Sequence, residues 1–377
     1  MEVIMYIKGI IKKDKKTKNL VNRLQHRDIA IISHKDLDEI AAISLAEKKV
    51  SCIINTEKTI SGKYPNRGPS VLMEKNIPIF EVDNDEIFNS LKEGDEIEII
   101  DDTIVFNGEQ IGKCNYISNS IIEELMKLGY DNIESELDAF IENTLEYAKK
   151  EKNLVTGKIE IPKIDTVINE QHVLVVVRGK DYKADLIAIK NYIDEVKPVL
   201  IGVDGGGDAL LEFGFIPDII IGDMDSVSDN CLLKAKDVIV HAYTDGRAPG
   251  LERVKSLGIV PKLFISPGTS EDIALLLAYE NDADLIVAVG THTNMIDFLE
   301  KGRKGMSSTF LVRLKVGGKL VDARGVNKLY GSTFKTKYLA FILIAAFIPI
   351  FILIFINPIT KSFLTLFKIR LRLLLGL

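Results

Sequence analysis

The stretch from Leu200 to Ser226, LIGVDGGGDALLEFGFIPDIIIGDMDS, constrains the fold more than any other part of the chain. Leu200 to Val203 is a short apolar run of strand type, and Asp204-Gly205-Gly206-Gly207-Asp208 follows it directly. Glycines lack a Cβ, so the backbone here turns tightly and lets a ligand approach it. Ala209 to Phe213 predicts a brief helix stopped by Gly214, and Pro217 opens a second apolar run, Ile219-Ile220-Ile221, that ends in Gly222-Asp223-Met224-Asp225-Ser226. Strand, turn, helix and strand in this order predict a parallel sheet, and ligands of such sheets sit outside the carboxyl ends of the strands. Both predicted strand ends carry carboxylates: Asp204 and Asp208 on one, Asp223 and Asp225 on the other. Grouped carboxylates repel one another unless a cation joins them. Oxygen ligands suit Mg²⁺, which commonly arrives with phosphates. The alternative is that these acids only fill turns and cap helices, as Asp and Gly often do.

The rest of the chain fits around this unit. His172 to Gly179 (HVLVVVRG) opens the domain, and apolar runs then alternate with helical stretches as far as Met295 to Lys301. Continuous apolar runs are the mark of strands buried on both faces, and their crossovers are right-handed. The class is doubly wound α/β over residues 166–335. Residues 1–116 predict a smaller α/β domain, with strands at Asp28–Ile32, Val50–Ile54 and Pro78–Glu81, helices at Leu37–Lys48 and Ser70–Lys75, and an alternating strand within Gly94–Ile100. Residues 117–165 read as a helical linker, with Ile121, Ile122, Leu125, Leu128, Ile133, Leu137, Ile141 and Leu145 at helical spacing. In the final segment, 336–377, Tyr338 to Ile356 is uncharged and almost wholly apolar. A helix of that length spans a hydrocarbon core of about 30 Å, so a transmembrane helix kinked at Pro349 is expected. The basic apolar tail after it, with Lys368, Arg370 and Arg372, either crosses outward or folds back as an interfacial helix. The expected location is a single-pass cell-membrane protein with its large domains in the cytoplasm, because the N-terminus shows no cleavable signal pattern.

Composition narrows the function. The net charge of −6 gives no electrostatic footprint for nucleic acid. Three dispersed cysteines, Cys52, Cys114 and Cys231, form no CxxC and support neither a zinc site nor a disulfide framework.

The DGGGD and PDIIIGDMDS pair resembles the nucleotide-binding core of thiamine pyrophosphokinases and related pterin diphosphokinases. ISGKYPN (Ile60–Asn66), HAYTDGRAPGLERV (His241–Val254), GTSED (Gly268–Asp272), VGTHTNMIDFLEKGRKGMSSTF (Val289–Phe310) and the apolar C-terminal segment are similar to the SteA-like septation, or cytokinetic ring, proteins. This second resemblance covers almost the whole chain. It implies a septal role with a SteB-like division partner, and a homodimer is also among the expected partners. The first resemblance implies that Asp204, Asp223 and Asp225 handle magnesium. It also implies that a nucleotide such as ATP meets the turn of Asp204, Gly205, Gly206 and Asp208; position at predicted strand ends adds Arg178, Asp245, Arg247 and His292 as nucleotide-binding candidates, with a structural role the alternative for the lone histidine, and position at a helix start adds Thr269, Ser270, Glu271 and Asp272. Arg178, Arg247 and Arg253 would reach phosphates; a surface ion pair is the alternative for Arg178, and an N-cap for Thr269 or Ser270. The N-terminal domain is similar to the swivelling domain of phosphoenolpyruvate-utilising enzymes. Its Ser61–Gly68 loop has no histidine, so phosphotransfer is not carried over.

Two functions follow as expectations. One is a membrane-anchored division protein that binds a magnesium-nucleotide or other phosphorylated ligand. The other is an active diphosphokinase that converts ATP and an alcohol to AMP and a diphosphate ester, with no evident general base. Thiamine pyrophosphokinases continue into a β-sandwich that helps form the thiamine pocket. The roughly thirty residues between Gly305 and the apolar segment are too few for one, which argues against thiamine as acceptor.

Overall fold

A computed structural model describes residues 5–83, 85–157, 159–291, 295–300, 302–324 and 336–375. The chain divides into two compact units, Met1–Asn327 and Lys328–Leu377.

The first unit holds two sheets. The N-terminal one contains β1 (Tyr6–Asp14), β2 (Ile29–Ile32), β3 (Cys52–Asn55), β4 (Ile79–Glu81), β5 (Glu96–Ile100), β6 (Thr103–Phe106), β7 (Glu109–Lys113) and β8 (Asn115–Tyr116), in the order β7-β6-β5-β1-β2-β3-β4-β8. Strands β1 to β4 run parallel, while β5 and β8 join antiparallel at β1 and β4. Successive residues of β2 serve opposite faces: Ile29 and Ile31 pack with Ile54 and Phe80, and Ala30 and Ile32 with Leu20 and Leu72. The sequence reading missed β1. Its lysines break any apolar run, and pairing on both sides, with β2 and β5, defines it instead.

The second sheet contains β9 (His172–Val177), β10 (Val199–Val203), β11 (Ile219–Gly222), β12 (Asp237–Ala242), β13 (Lys262–Ile265), β14 (Leu285–Val289) and β15 (Leu320–Asp322). All are parallel, in the order β13-β12-β11-β10-β9-β14-β15, so the chain reverses direction across the sheet between β9 and β14. Val173 and Val175 feed one apolar layer and Leu174 and Val176 the other, as expected of a doubly wound sheet. The helix Ser270–Glu280 lies in the first layer, with Ile273 to Ala278 fully buried. The segment after Gly305, too short for a sandwich, instead forms the helix Ser307–Val316 and the edge strand β15.

The linker is two helices, Asn119–Asp131 and Ile133–Lys150. A Cβ on Gly129 would lie 2.5 Å from the Tyr64 carbonyl carbon, so this helix sits directly on the Tyr64–Pro65 backbone. Tyr64, Phe140, Phe298 and Leu299 form one buried cluster, joining the N-terminal domain, the linker and the helix Met295–Glu300 that follows β14. Lys180, after β9, pairs with Glu39 at 2.6 Å. These contacts hold the N-terminal domain against the carboxyl ends of β9 to β14.

The described residues of the second unit form the helices Thr336–Ile356 and Pro358–Leu375. Here the expectation of a transmembrane helix, and with it a single-pass membrane location, is overturned. Among the described residues no helix is long and apolar enough to cross a membrane. Pro349 lies inside the first helix and interrupts its hydrogen-bond ladder. The second helix begins at Pro358 and carries Lys361, Lys368, Arg370 and Arg372.

Candidate functional site at the carboxyl rim of the parallel sheet

Asp204 and Asp223 directly follow the ends of β10 and β11, close enough for the Asp223 charge to act on Asp204. Asp204 adopts a left-handed backbone, φ 47°, and its N–H donates to the Ile221 carbonyl at 3.0 Å, which draws the two strand ends together. Its side chain then lies over the next loop. Oδ1 accepts the Met224 N–H at 3.0 Å, and a Cβ placed on Gly222 would fall 2.0 Å from the same oxygen. The Asp204 carboxylate therefore touches the backbone on both sides of Asp223. Burial pushes its carboxyl up to about 7, and the Asp223 charge adds to the rise. The Met224 N–H, the Lys18 charge and a hydrogen bond with Ser270 act in the other direction.

Asp223 closes a local turn by accepting the Asp225 N–H at 2.9 Å. Asp225 points to the N-terminal domain, where it pairs with Lys16 at 3.2 Å and Lys18 at 3.4 Å. Burial raises its carboxyl, but the two lysines outweigh burial and hold it below the usual carboxylate range. The three expected magnesium ligands are thus a pair plus a lysine-bound neighbour. Among the described residues no three His, Cys, Asp or Glu side chains gather as a metal-holding group.

The glycine turn behaves as its composition suggests. A Cβ on Gly206 would lie 1.9 Å from the Val176 carbonyl oxygen, and one on Gly205 would reach Ser226 and the Arg178 side chain at 3.3 and 3.4 Å. Arg178 is paired with Glu212 and donates a further hydrogen bond to the Tyr182 hydroxyl at 3.2 Å. Asp208 accepts from the Ser228 N–H at 2.8 Å and from its hydroxyl, tying the glycine turn to the GDMDS loop.

Other candidates lie around this centre. Asp245 and Arg247 bond to each other at 2.7 Å, and Arg247 stacks over Tyr243 at 5.1 Å, an exposed local arrangement. Arg253 holds the GDMDS loop from behind, donating to the carbonyls of Met224 and Val227 and pairing with Asp229. Thr269 caps the helix Ser270–Glu280 in a capping box with Asp272, so the N-cap reading holds there, while Ser270 is next to Asp204. Glu271 lies 3.6 Å from Arg313, and buried Asp272 accepts from the Ser308 hydroxyl at 2.8 Å. His292 lies outside the described residues.

Sequence reasoning missed the contribution of the N-terminal domain. Nothing in the spacing links Lys16 and Lys18 to Asp225, 209 and 207 residues away. A cavity of about 170 Å³ between the domains was likewise unforeseen; it is lined by Asp38, Glu39, Ile40, Arg178, Lys180, Asp297 and Glu300, at the reversal between β9 and β14. Burial, with the charges of Asp38, Glu39 and Asp297, pushes the Glu300 carboxyl up to about 7. A larger cavity of about 860 Å³ lies beside edge strand β13 and shares no lining residue with the aspartate rim.

Known proteins resemble parts of this arrangement. Residues 324–375 match the SteA-like C-terminal domain. Over 151 aligned residues the chain is 28% identical to a 6-hydroxymethyl-7,8-dihydropterin pyrophosphokinase of Methanocaldococcus jannaschii. The alignment covers 38% of this chain and 55% of that protein, so the chain spans about half the length of the curated relative it matches. Among solved structures, a thiamine pyrophosphokinase from Bacillus subtilis aligns at 23% identity and TM-score 0.23, covering 35% of this chain and 52% of that one. A 3-isopropylmalate dehydratase from Methanocaldococcus jannaschii aligns at 14% identity and TM-score 0.22, covering 39% and 99%. The chain therefore carries a SteA-like C-terminal domain and a distant pyrophosphokinase similarity.

Proposed function

We propose that the rim formed by the ends of β10 and β11 binds a phosphorylated ligand, in the first instance a magnesium-nucleotide, and that this binding serves a role in septation. The observation that carries the reading is the Asp204–Asp223 pair, two carboxylates brought together by adjacent strand ends and set beside a glycine backbone. Mg²⁺ is usually held by one or two carboxylates together with phosphates, so the pair fits it. Asp204, Asp223 and the Ser270 hydroxyl would hold the ion, which when bound supplies charge neutralisation for phosphate oxygens. Gly206 lets the turn pack directly on the Val176 carbonyl, which sets the glycine backbone beside the two carboxylates. The pyrophosphokinase similarity supports a nucleotide, and the SteA-like domain supports septation.

Titration calorimetry of the full chain with MgATP tests the binding. Saturable binding that Asp223→Asn abolishes is expected; equal binding by wild type and variant, or none by wild type, would overturn it. For septation, a fluorescent fusion carrying Asp223→Asn is expected to lose its septal position, and unchanged placement would separate the site from that role.

The similarity to a pterin pyrophosphokinase favours one further reading, diphosphoryl transfer. An alcohol oxygen would bond to the β-phosphorus of ATP as the bond to the α-phosphate oxygen breaks, with AMP leaving and the hydroxyl proton passing to solvent. Steady AMP release that depends on one added alcohol is its signature, and ATP consumption indifferent to every alcohol tried counts against it.

A further inference from the structure

The N-terminal domain contributes charge to a rim whose aspartates belong to the other sheet. Lys16 and Lys18 flank the start of the short helix Thr17–Val21, and both ammonium groups reach Asp225, at 3.2 and 3.4 Å. The Lys18 charge extends to Asp204 as well. Lys16 and Lys18 are the charges that the opposite domain brings to this edge, and their side chains are 63% and 47% exposed. Exposed ion pairs of this kind are weak and exchange readily, whereas an ammonium facing a phosphate makes a stronger, charge-assisted bond. The domain that carries them is held in place independently of Asp225, by the Lys180–Glu39 pair and the Tyr64, Phe140 and Phe298 cluster. Releasing Asp225 therefore leaves both lysines at the rim.

Resting on the reading that the rim takes a phosphorylated ligand, we propose that Lys16 and Lys18 are ligand-binding residues. In the free protein they neutralise Asp225. A polyphosphate draws them onto its own oxygens, Asp225 is freed to join Asp204 and Asp223 around the cation, and the ligand bridges the two domains. The site is thus shared: carboxylates for the cation come from one domain and ammonium groups for the phosphates from the other.

The test compares wild type, the double variant Lys16→Ala/Lys18→Ala and Asp223→Asn, all as full chains, by calorimetry with two probes, MgATP and Mg²⁺ alone. Removing the lysines is expected to weaken MgATP by about tenfold or more and to tighten Mg²⁺ alone, since Asp225 loses its competitors. A double variant that binds MgATP as well as or better than wild type would show that the lysines only block Asp225, and overturns the inference while leaving the site intact. Loss of both probes would mark the lysines as structural and overturns it too. If wild type itself does not bind MgATP while Mg²⁺ binding depends on Asp223, the phosphorylated-ligand reading falls and takes this inference with it.

Discussion

Replacing Asp204 by asparagine isolates the physical cost on which the site depends. The Asp204 carboxyl is raised from 3.8 to about 7 by burial and by Asp223. The folded state therefore holds this proton more tightly than the unfolded chain. The resulting stability is fully present below pH 3.8, erodes as pH rises, and is lost once pH passes about 7. A shift of roughly three units corresponds to about 4 kcal/mol in the limit, less whatever partial exposure of the side chain returns. Between pH 5 and pH 8 the same arithmetic gives a loss of about 2.5 kcal/mol in wild type. An asparagine side chain at this position does not titrate and keeps an oxygen for the Met224 N–H. Asp204→Asn should thus become progressively more stable relative to wild type across that interval. Urea unfolding followed by far-ultraviolet circular dichroism suits a chain with no tryptophan, and a chelator keeps divalent ions away. Parallel stability profiles for the two proteins from pH 5 to 8 would falsify the account of a destabilised carboxylate at this rim. In the presence of Mg²⁺ the proton and the cation compete for Asp204. The affinity of wild type for the ion should then climb about tenfold per pH unit below 7 and level off above.

Other positions give independent checks. Gly206→Ala places a Cβ 1.9 Å from the Val176 carbonyl oxygen, so the backbone must shift. A loss of about 2 kcal/mol or more is expected in thermal unfolding, and an unchanged transition would mean that the turn is not packed as described. Asp237 is buried and accepts from the Thr166 N–H at 2.8 Å and hydroxyl at 2.6 Å while pairing with Lys262. Burial raises its carboxyl, yet Lys262, Thr166 and the local N–H groups prevail and lower it. Its stabilisation is therefore present above pH 3.8 and disappears as pH falls below that value. Asp237→Ala should cost roughly 3 kcal/mol at neutral pH and less in acid, read from urea midpoints at both. Burial pushes the Cys114 thiol up to about 11 and the Cys231 thiol up to about 12, and raises that of Cys52 further still. All three should resist alkylation at pH 8 until the chain is denatured, and rapid labelling of native protein would contradict their burial.

Much of this molecule could be read from its sequence because the relevant signals are local. Apolar runs such as Leu174–Val176 and Ile219–Ile221 serve both faces of one sheet, so each strand declares itself without reference to its neighbours. Gly206 and Gly207 after β10 and Gly222 at the end of β11 mark points where a Cβ would collide, with the Val176 backbone, the Ile220 and Cys231 side chains and the Asp204 carboxylate respectively. Signals that depend on distant partners were not legible. Strand β1 is interrupted by Lys8, Lys12 and Lys13 and exists because β2 and β5 pair with it on either side. The C-terminal segment is a different case: apolar composition suggested a span kinked at Pro349, whereas among the described residues no helix is long and apolar enough to cross a membrane.

The sequence by itself determined the parallel sheet of the second domain and the strand ends that carry acids, since each depends on residues a few positions apart. Tertiary structure decided which acids remain together. Asp204 takes the Met224 N–H beside Asp223, Asp208 is taken by Ser228, and Asp225 is claimed by lysines more than two hundred positions away. The difference is physical: a turn is set by neighbouring φ and ψ angles, but the partner of a charge is whichever opposite charge the folded chain brings within a few ångströms.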